Sequence, residues 1–193
     1  MTESKKHIST DLIRKVQRGD TLAFQELVRN HDRKVLGLAY QMLGNQQDAE
    51  DVYQEVFMKV YKNIQKFRFQ SAFETWLYRI VVNTAINYRK TRNKHLNNTI
   101  IPEDFDEDSS WAPLDHNPLP DQIAMNQEIR NQIQTVLDRL TLIQRTVFVL
   151  RFYQDFKIKD IAEIISCTEG TVKNTLFRST IKVRHHLIKY MRE

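Results

Sequence analysis

Residues 48–67 read DAEDVYQEVFMKVYKNIQKF and residues 73–94 read FETWLYRIVVNTAINYRKTRNK. Apolar residues recur in both segments at steps of three and four, which predicts two amphipathic helices. The inward stripes are Ala49, Val52, Val56, Val60, Ile64 and Phe67 in the first helix, and Phe73, Trp76, Leu77, Ile80, Val81 and Thr84 in the second. The intervening residues 68–71 are expected to form a loop.

Two further helices precede this pair. Gly19 is a candidate stop for a short helix that starts near residue 11. Asp20 can cap a longer helix, which Gly44 would end. Four helices of these lengths predict one compact all-α domain over residues 1–94.

Composition and charge divide the chain into three parts. Only 4 of the 193 residues are glycine and 4 are proline, which argues against a turn-rich β-fold. Residues 1–94 carry 17 Lys/Arg against 10 Asp/Glu, residues 95–122 carry 7 Asp/Glu and no Lys/Arg, and residues 123–193 carry 12 against 7. The middle part also holds all four prolines, so it is expected to be a flexible acidic linker between two basic domains.

The C-terminal part predicts a helical domain with a helix-turn-helix. Thr141 can cap one helix, and a short helix follows with apolar residues at 158, 161, 162 and 165. After a tight connection comes a polar, basic helix that Thr168 can cap. In this last helix Val172, Leu176 and Ile181 are predicted to face inward.

A single cysteine, Cys167, permits no disulfide within a monomer, as is usual in a reducing cytosol. A small, partly buried thiol is favoured over a redox switch. The N-terminus lacks the apolar run of a signal peptide, and no stretch approaches the roughly 18 apolar residues of a membrane span. The expectation is a cytoplasmic protein with no direct membrane insertion.

Asp51, Gln54 and Glu55 form the first candidate site. Positions i, i+3 and i+4 share a helix face, here the face away from the apolar stripe. Carboxylates and an amide suit binding to arginine and asparagine side chains of a partner protein. A solvated helix face is the alternative interpretation. No catalytic residue, metal site or cofactor motif accompanies the carboxylates, so an enzyme is not predicted.

The second candidate site lies on the helix that starts at Phe73. Donor side chains follow one of its faces at steps of four, four and three: Arg79, Asn83, Asn87 and Lys90. Amides can read base edges and cations can hold phosphates. Trp76 and Tyr78 can offer stacking surfaces to an unpaired base, although the spacing of Trp76 equally permits a core position.

The third candidate site is the outer face of the last helix. Its members are Thr171, Lys173, Asn174, Phe177 and Arg178. Lysine and arginine pair with guanine, asparagine pairs with adenine, and phenylalanine can touch a thymine methyl. This face predicts that the helix-turn-helix binds duplex DNA in the major groove. A helix-turn-helix that binds no DNA is the alternative interpretation.

Three motifs carry a family resemblance: D-A-E-D-x-x-Q-E-x-F, T-W-L-Y-R-I and G-T-V-K, in this order and with an intervening linker. Together they resemble bacterial sigma factors of the extracytoplasmic-function group over nearly the whole chain. The resemblance implies sigma domain 2 at 1–94 and sigma domain 4 at 123–193. It also implies a non-enzymatic factor that directs core RNA polymerase to promoters and initiates transcription, in a stress response.

The resemblance also implies a role for each site. Asp51, Gln54 and Glu55 match positions that bind the polymerase clamp helices, and sigma domain 4 would contact the polymerase flap. The −10 element would be melted and read by Trp76, Arg79, Asn83, Asn87 and Lys90, and the −35 element by Thr171, Lys173, Asn174, Phe177 and Arg178. An anti-sigma factor, anchored in the membrane, is a further implied partner.

A stand-alone helix-turn-helix repressor or activator is the alternative hypothesis. Its N-terminal domain would sense a ligand or dimerise, and such a protein has no use for the acidic cluster at 51–55. A related hypothesis concerns regulation: the acidic linker shields the DNA-binding faces until polymerase releases them.

Overall fold

The computed structural model describes residues 2–97 and 135–190, with side chains at 10–92 and 135–186. Every regular element in these ranges is helical and none is a β-strand, which confirms the predicted all-α class. Residues 135–138 are helical. The other helices are α1 (Thr2–Gln17), α2 (Thr21–Leu43), α3 (Gln46–Asn63), a 3-10 helix (Ile64–Lys66), α4 (Phe73–Asn97), α5 (Leu142–Phe152), α6 (Ile158–Ile165) and α7 (Glu169–Tyr190).

Local sequence sets where these helices begin and end. The Asp20 carboxylate accepts a first-turn backbone N–H of α2 at 3.0 Å, and Gly44 ends that helix with a left-handed φ of 75°. Asn45 caps α3 in the same way. Thr141 and Gln144 form a capping box at the start of α5. Each cap satisfies backbone groups that have no partner inside the helix.

Two observed boundaries differ from the predicted ones. The first helix begins at Thr2 rather than near residue 11, because its polar first turns carry no apolar stripe from which a start could be read. The fourth helix continues to Asn97, beyond the predicted start of the linker, because no glycine or proline interrupts it. The remainder of the predicted linker, 98–122, and residues 123–134 lie outside the described residues.

The predicted stripes of α3 and α4 form the core of the N-terminal bundle, which comprises α1–α4. Buried members are Ala49, Val52, Val56, Val60, Ile64, Phe67, Phe73, Leu77, Val81 and Thr84. They pack between α3, α4 and α2. Trp76 and Ile80 are only half-buried and lie at the edge of this core.

The C-terminal unit, defined as residues 135–138 with α5–α7, packs directly on the N-terminal bundle. Its helix α6 lies against α4, and α5 lies against α2. Buried apolar residues of both parts form one contiguous cluster. The relative position of the two candidate DNA-reading helices is therefore set by direct packing between parts that are distant in sequence.

One predicted inward residue is in fact exposed. Ile181 of α7 has 51% of its surface exposed, whereas Val172 and Ser179 are buried. A step of five residues from Leu176 rotates about 140° around a helix and leaves the inward face, whereas a step of three stays on it. Ser179, a small polar residue, therefore continues the inward stripe, and its hydroxyl donates to the Leu176 carbonyl at 2.9 Å.

Candidate protein and nucleic-acid interfaces

The acidic face of α3 lies on the molecular surface. Asp51 and Gln54 are exposed and Glu55 is half-buried. Two neutral side chains extend this face along the helix: Met58 is 56% exposed and Tyr61 is 60% exposed. By residue type alone, Met58 and Tyr61 would be predicted to lie in the core. Both lie off the buried stripe of α3, and that position identifies them as surface residues that extend the candidate interface.

The exposed face of α4 carries most of its predicted readers. Asn83, Asn87 and Lys90 are exposed. Trp76 is half-buried, and its ring lies 5.3 Å from Phe67 and 5.6 Å from Phe73, so part of its stacking surface is already used by the core.

Tyr78 is not available for stacking on a base in this arrangement, contrary to the prediction. Its side chain is 2% exposed, and its ring packs edge-on against Phe156 with centroids 4.9 Å apart. Its hydroxyl donates to the Gln154 side-chain oxygen at 2.8 Å. Burial raises the pKa of Tyr78 to about 12, and the Glu74 charge adds to the shift. The C-terminal unit therefore covers this part of α4.

Arg79 is bound to the C-terminal unit as well. Its Nη2 and Nε atoms donate to the backbone carbonyl of Glu163 at 2.6 and 3.1 Å. The Glu163 carboxylate lies 3.7 Å from Nη2 and is 40% exposed. Arg79, which the sequence predicts to hold a phosphate, is thus bonded to the first helix of the helix-turn-helix.

Arg145 of α5 also links the C-terminal unit to the N-terminal bundle, and this contact between the two parts is called the junction below. Its side chain is 1% exposed, and Nη1 donates to Asp138 at 2.7 Å while Nε donates to the Gln41 carbonyl of α2. Burial lowers the pKa of Arg145, and Asp138 opposes that shift. Arg89 has its pKa lowered to about 10, first by burial and then by the charge of Arg145. Two guanidinium groups, those of Arg145 and Arg89, are therefore removed from water at this junction.

The outer face of α7 is open. All five predicted readers are exposed, and Phe177 reaches 66%. The Thr168 hydroxyl accepts the Thr171 backbone N–H at 3.1 Å and caps the helix, as predicted. The preceding Ser166 adopts a left-handed φ of 57° that turns the chain between α6 and α7. This geometry presents the N-terminal half of α7 to solvent, as insertion into a major groove requires.

Three further possibilities concern a reactive thiol, a metal site and a membrane-spanning helix in the described part of the chain. Burial raises the pKa of the Cys167 thiol, opposed by a backbone hydrogen bond, which disfavours the reactive thiolate. No cluster of three His, Cys, Asp or Glu residues within the described ranges could hold a metal ion. Neither 2–97 nor 135–190 contains a helix long and apolar enough to span a membrane.

Two family models match the chain: Sigma-70 region 2 over residues 27–95 and Sigma-70, region 4 over residues 130–182. Curated relatives match almost end to end. The RNA polymerase sigma-H factor of Pseudomonas aeruginosa is 35% identical over 189 residues, covering 94% of this chain and 95% of its own length. The ECF RNA polymerase sigma-E factor of Haemophilus influenzae is 36% identical over 169 residues, covering 87% and 89%.

Solved structures share the fold. CnrH in complex with the cytosolic domain of CnrY superposes with a TM-score of 0.66 at 20% identity, covering 92% of this chain and 96% of its own. The sigma factor RpoE of Bartonella quintana, in complex with the anti-sigma factor NepR, superposes with a TM-score of 0.68 at 21% identity, covering 85% and 96%.

Proposed function

This chain belongs to the extracytoplasmic-function group of sigma-70 factors, and we propose that its α3 face binds core RNA polymerase while α4 and α7 read the −10 and −35 promoter elements. The observation that carries this assignment is the end-to-end match with sigma-H, which includes both DNA-reading helices. The domain boundaries 1–94, 95–122 and 123–193 form part of the proposal.

Polymerase binding uses the exposed carboxylates and amide at Asp51, Gln54 and Glu55. Cations of the polymerase clamp helices would pair with the carboxylates, and charge-assisted hydrogen bonds of this type are stronger than neutral ones. Met58 and Tyr61 add apolar contact area next to the polar group. The C-terminal unit contacts the polymerase flap.

Promoter opening requires no catalytic residue. Binding to unpaired bases offsets the unstacking cost of a few kcal/mol per base, so stacking on Trp76 and hydrogen bonds from Asn83 and Asn87 suffice in principle. Arg79 and Lys90 hold phosphates. On α7, Lys173, Asn174, Phe177 and Arg178 read the −35 duplex, with Thr171 at the start of the helix. No enzymatic activity is assigned to the chain.

We further propose a cytoplasmic location and regulation by an anti-sigma factor, anchored in the membrane. The RpoE and NepR pair supports a partner of this class, since a sigma factor of the same fold is bound there by an anti-sigma factor. Release of such a partner under stress would free this chain for polymerase. The acidic linker would shield the DNA-reading faces; its residues 98–122 lie outside the described residues.

A charge-reversal experiment tests the polymerase face. Glu55→Arg is expected to abolish retention of the chain on immobilised core polymerase, because it places a cation where a carboxylate is needed. Glu26→Arg, the same reversal at an exposed position of α2, is the matched control and should bind normally. Equal retention of both variants would refute the assignment of α3.

Transcription separates the proposal from the alternative. Run-off transcription with core polymerase and a promoter library should yield new start sites only when this chain is present. A stand-alone helix-turn-helix regulator, which the relatives do not favour, would instead give a footprint on its operator without polymerase.

A further inference from the structure

A seam of polar side chains joins the acidic face of α3 to α4. The Tyr88 hydroxyl of α4 lies 2.9 Å from Asp51 Oδ2 and 3.2 Å from Asp48 Oδ1. Asp48 also forms an ion pair with Arg92, one turn further along α4. At this end of the seam, the side chains that engage Asp48 and Asp51 both come from α4.

The other end of the seam reaches Glu55. The Lys59 ammonium lies 2.7 Å from Glu55 Oε1 and donates to the Thr84 hydroxyl of α4 at 3.1 Å. Thr84 is buried, so its position relative to the core is fixed. Thr84, Tyr88 and Arg92 follow one another at steps of four on α4, and their partners run in the opposite direction on α3, as packing between antiparallel helices requires.

The carboxylates of Asp51 and Glu55 each retain a second oxygen, whereas both oxygens of Asp48 are engaged by α4. Tyr88 binds Oδ2 of Asp51 and Lys59 binds Oε1 of Glu55, which leaves Oδ1 and Oε2 to accept from a partner protein. A side chain held in one rotamer loses less conformational entropy when it binds, so this arrangement pre-organises the acidic face. Burial, the Asp51 hydrogen bond and the Asp51 charge raise the pKa of Tyr88, in keeping with a phenol that donates to a carboxylate.

We propose that Tyr88 and Lys59 are positioning residues for polymerase binding, because they hold the carboxylates of Asp51 and Glu55 in the orientation that the clamp helices engage. Neither Tyr88 nor Lys59 itself need touch the polymerase. The inference rests on the proposed function of α3 and adds to it the side chains of the neighbouring helix.

The experiment measures the affinity of full-length variants for core RNA polymerase. Tyr88→Phe removes only the hydroxyl and keeps the ring. It is expected to weaken binding about threefold to tenfold, the range for loss of one hydrogen bond. Tyr53→Phe is the matched control, since its ring packs edge-on against Phe57 with centroids 4.9 Å apart and the bond to Asp51 comes from Tyr88.

A double-mutant cycle distinguishes positioning from a general structural effect. If Tyr88 acts through Asp51, then Tyr88→Phe has no further effect in an Asp51→Ala background, because coupled residues are not additive. Binding of the single variant to a −35 duplex should equal that of the parent, since α7 is unchanged. Full additivity in the cycle, or a parallel loss of −35 binding, would overturn the positioning role.

The same cycle separates the two proposals. If Asp51→Ala binds polymerase as the parent does, Asp51 is not part of the interface and the positioning role of Tyr88 is refuted. If Glu55→Arg also binds as the parent does, the assigned α3 interface is wrong as well. If Asp51→Ala weakens binding while Tyr88→Phe does not, α3 remains the polymerase face and only the positioning role is refuted.

Discussion

The two helices that we propose read DNA, α4 and α7, differ in what covers them. On α7 all five predicted readers are exposed to solvent. On α4 Asn83, Asn87 and Lys90 are exposed, whereas Arg79 is bound to Glu163 and the adjacent Tyr78 is buried under the C-terminal unit. If the two helices read DNA as proposed, α7 is accessible without rearrangement, whereas Arg79 of α4 can reach a phosphate only when α6 separates from α4.

The contact between the C-terminal unit and the N-terminal bundle contains both stabilising and destabilising interactions. Aromatic packing of Tyr78 on Phe156 and the Tyr78 hydrogen bond to Gln154 favour closure. Against them stand the desolvated Arg145 and Arg89, and one buried nitrogen of Arg145 has no hydrogen-bond partner among the described residues. Burying charge costs free energy unless the group is fully paired. Such a contact can hold the free chain closed and still yield to a large binding partner.

The largest effect is expected from removing Arg145. Arg145→Ala removes a buried cation that pairs with Asp138 and donates to the Gln41 carbonyl of α2. Removing one partner of a buried ion pair costs about 3–5 kcal/mol of the free energy of unfolding, and Arg89, whose pKa Asp138 also raises, keeps the loss at the lower end of that range. Chemical denaturation measures this loss. Because the junction is weakened, α4 should become more accessible to solvent, as α7 already is. The variant should therefore bind a single-stranded −10 oligonucleotide more tightly than the parent does.

Arg139→Ala is the control for this prediction. Arg139 is an exposed neighbour, so its removal should change stability by less than about 0.5 kcal/mol. Equal stability of the two variants would mean that Arg145 does not hold the junction.

Alkaline pH should open the same contact. The pKa of Tyr78 is raised from 10.0 to about 12, so the closed arrangement favours the neutral phenol. Its contribution is present in full below pH 10 and is lost as the pH rises through about 12. Two pKa units correspond to about 2.7 kcal/mol at most. Small-angle X-ray scattering should show an increasing radius of gyration over this range.

Tyr78→Phe isolates the phenol from Arg89, whose pKa of about 10 places its titration near the same pH range. That variant should lack the Tyr78 part of the transition. An identical transition in both proteins would assign the opening to another group.

A substitution on α7 should act equally in the free and polymerase-bound chain. Lys173→Ala removes one predicted guanine or phosphate contact, which is expected to cost about 1–3 kcal/mol of −35 duplex affinity. Fluorescence anisotropy measures the loss in both states. Lys159→Ala removes the same charge from an exposed position on α6 and should leave affinity nearly unchanged. A loss confined to the polymerase-bound state would show that the −35 face is covered too.

The smallest effect is expected at Glu163. Arg79 donates mainly to its backbone carbonyl at 2.6 Å, and the half-exposed carboxylate lies further away at 3.7 Å. Glu163→Gln should therefore change the closure equilibrium by less than about 1 kcal/mol. The distance between labels on α4 and α6, measured by energy transfer, checks this. If Glu163→Gln opened the chain fully, the Arg79 contact would depend on the Glu163 carboxylate and not on its backbone carbonyl.

Much of the site was predictable because helical periodicity places residues on faces. The stripe from Ala49 to Val60 is buried as predicted, and Asp51 and Gln54 are exposed. Caps such as Asp20 and Thr141 were predictable because they act within a few residues. The roles of these faces in binding remain predictions for the experiments above.

Sequence alone established the helices, their caps, the division of each helix into apolar and polar faces, and the family resemblance, since all of these depend on short-range spacing and residue type. Only the tertiary structure decided that Tyr78 lies beneath the C-terminal unit, that Arg79 is occupied by Glu163, and that Tyr88 bonds to Asp51. A periodicity defines a face relative to its own helix axis. It carries no information about which distant helix packs against that face.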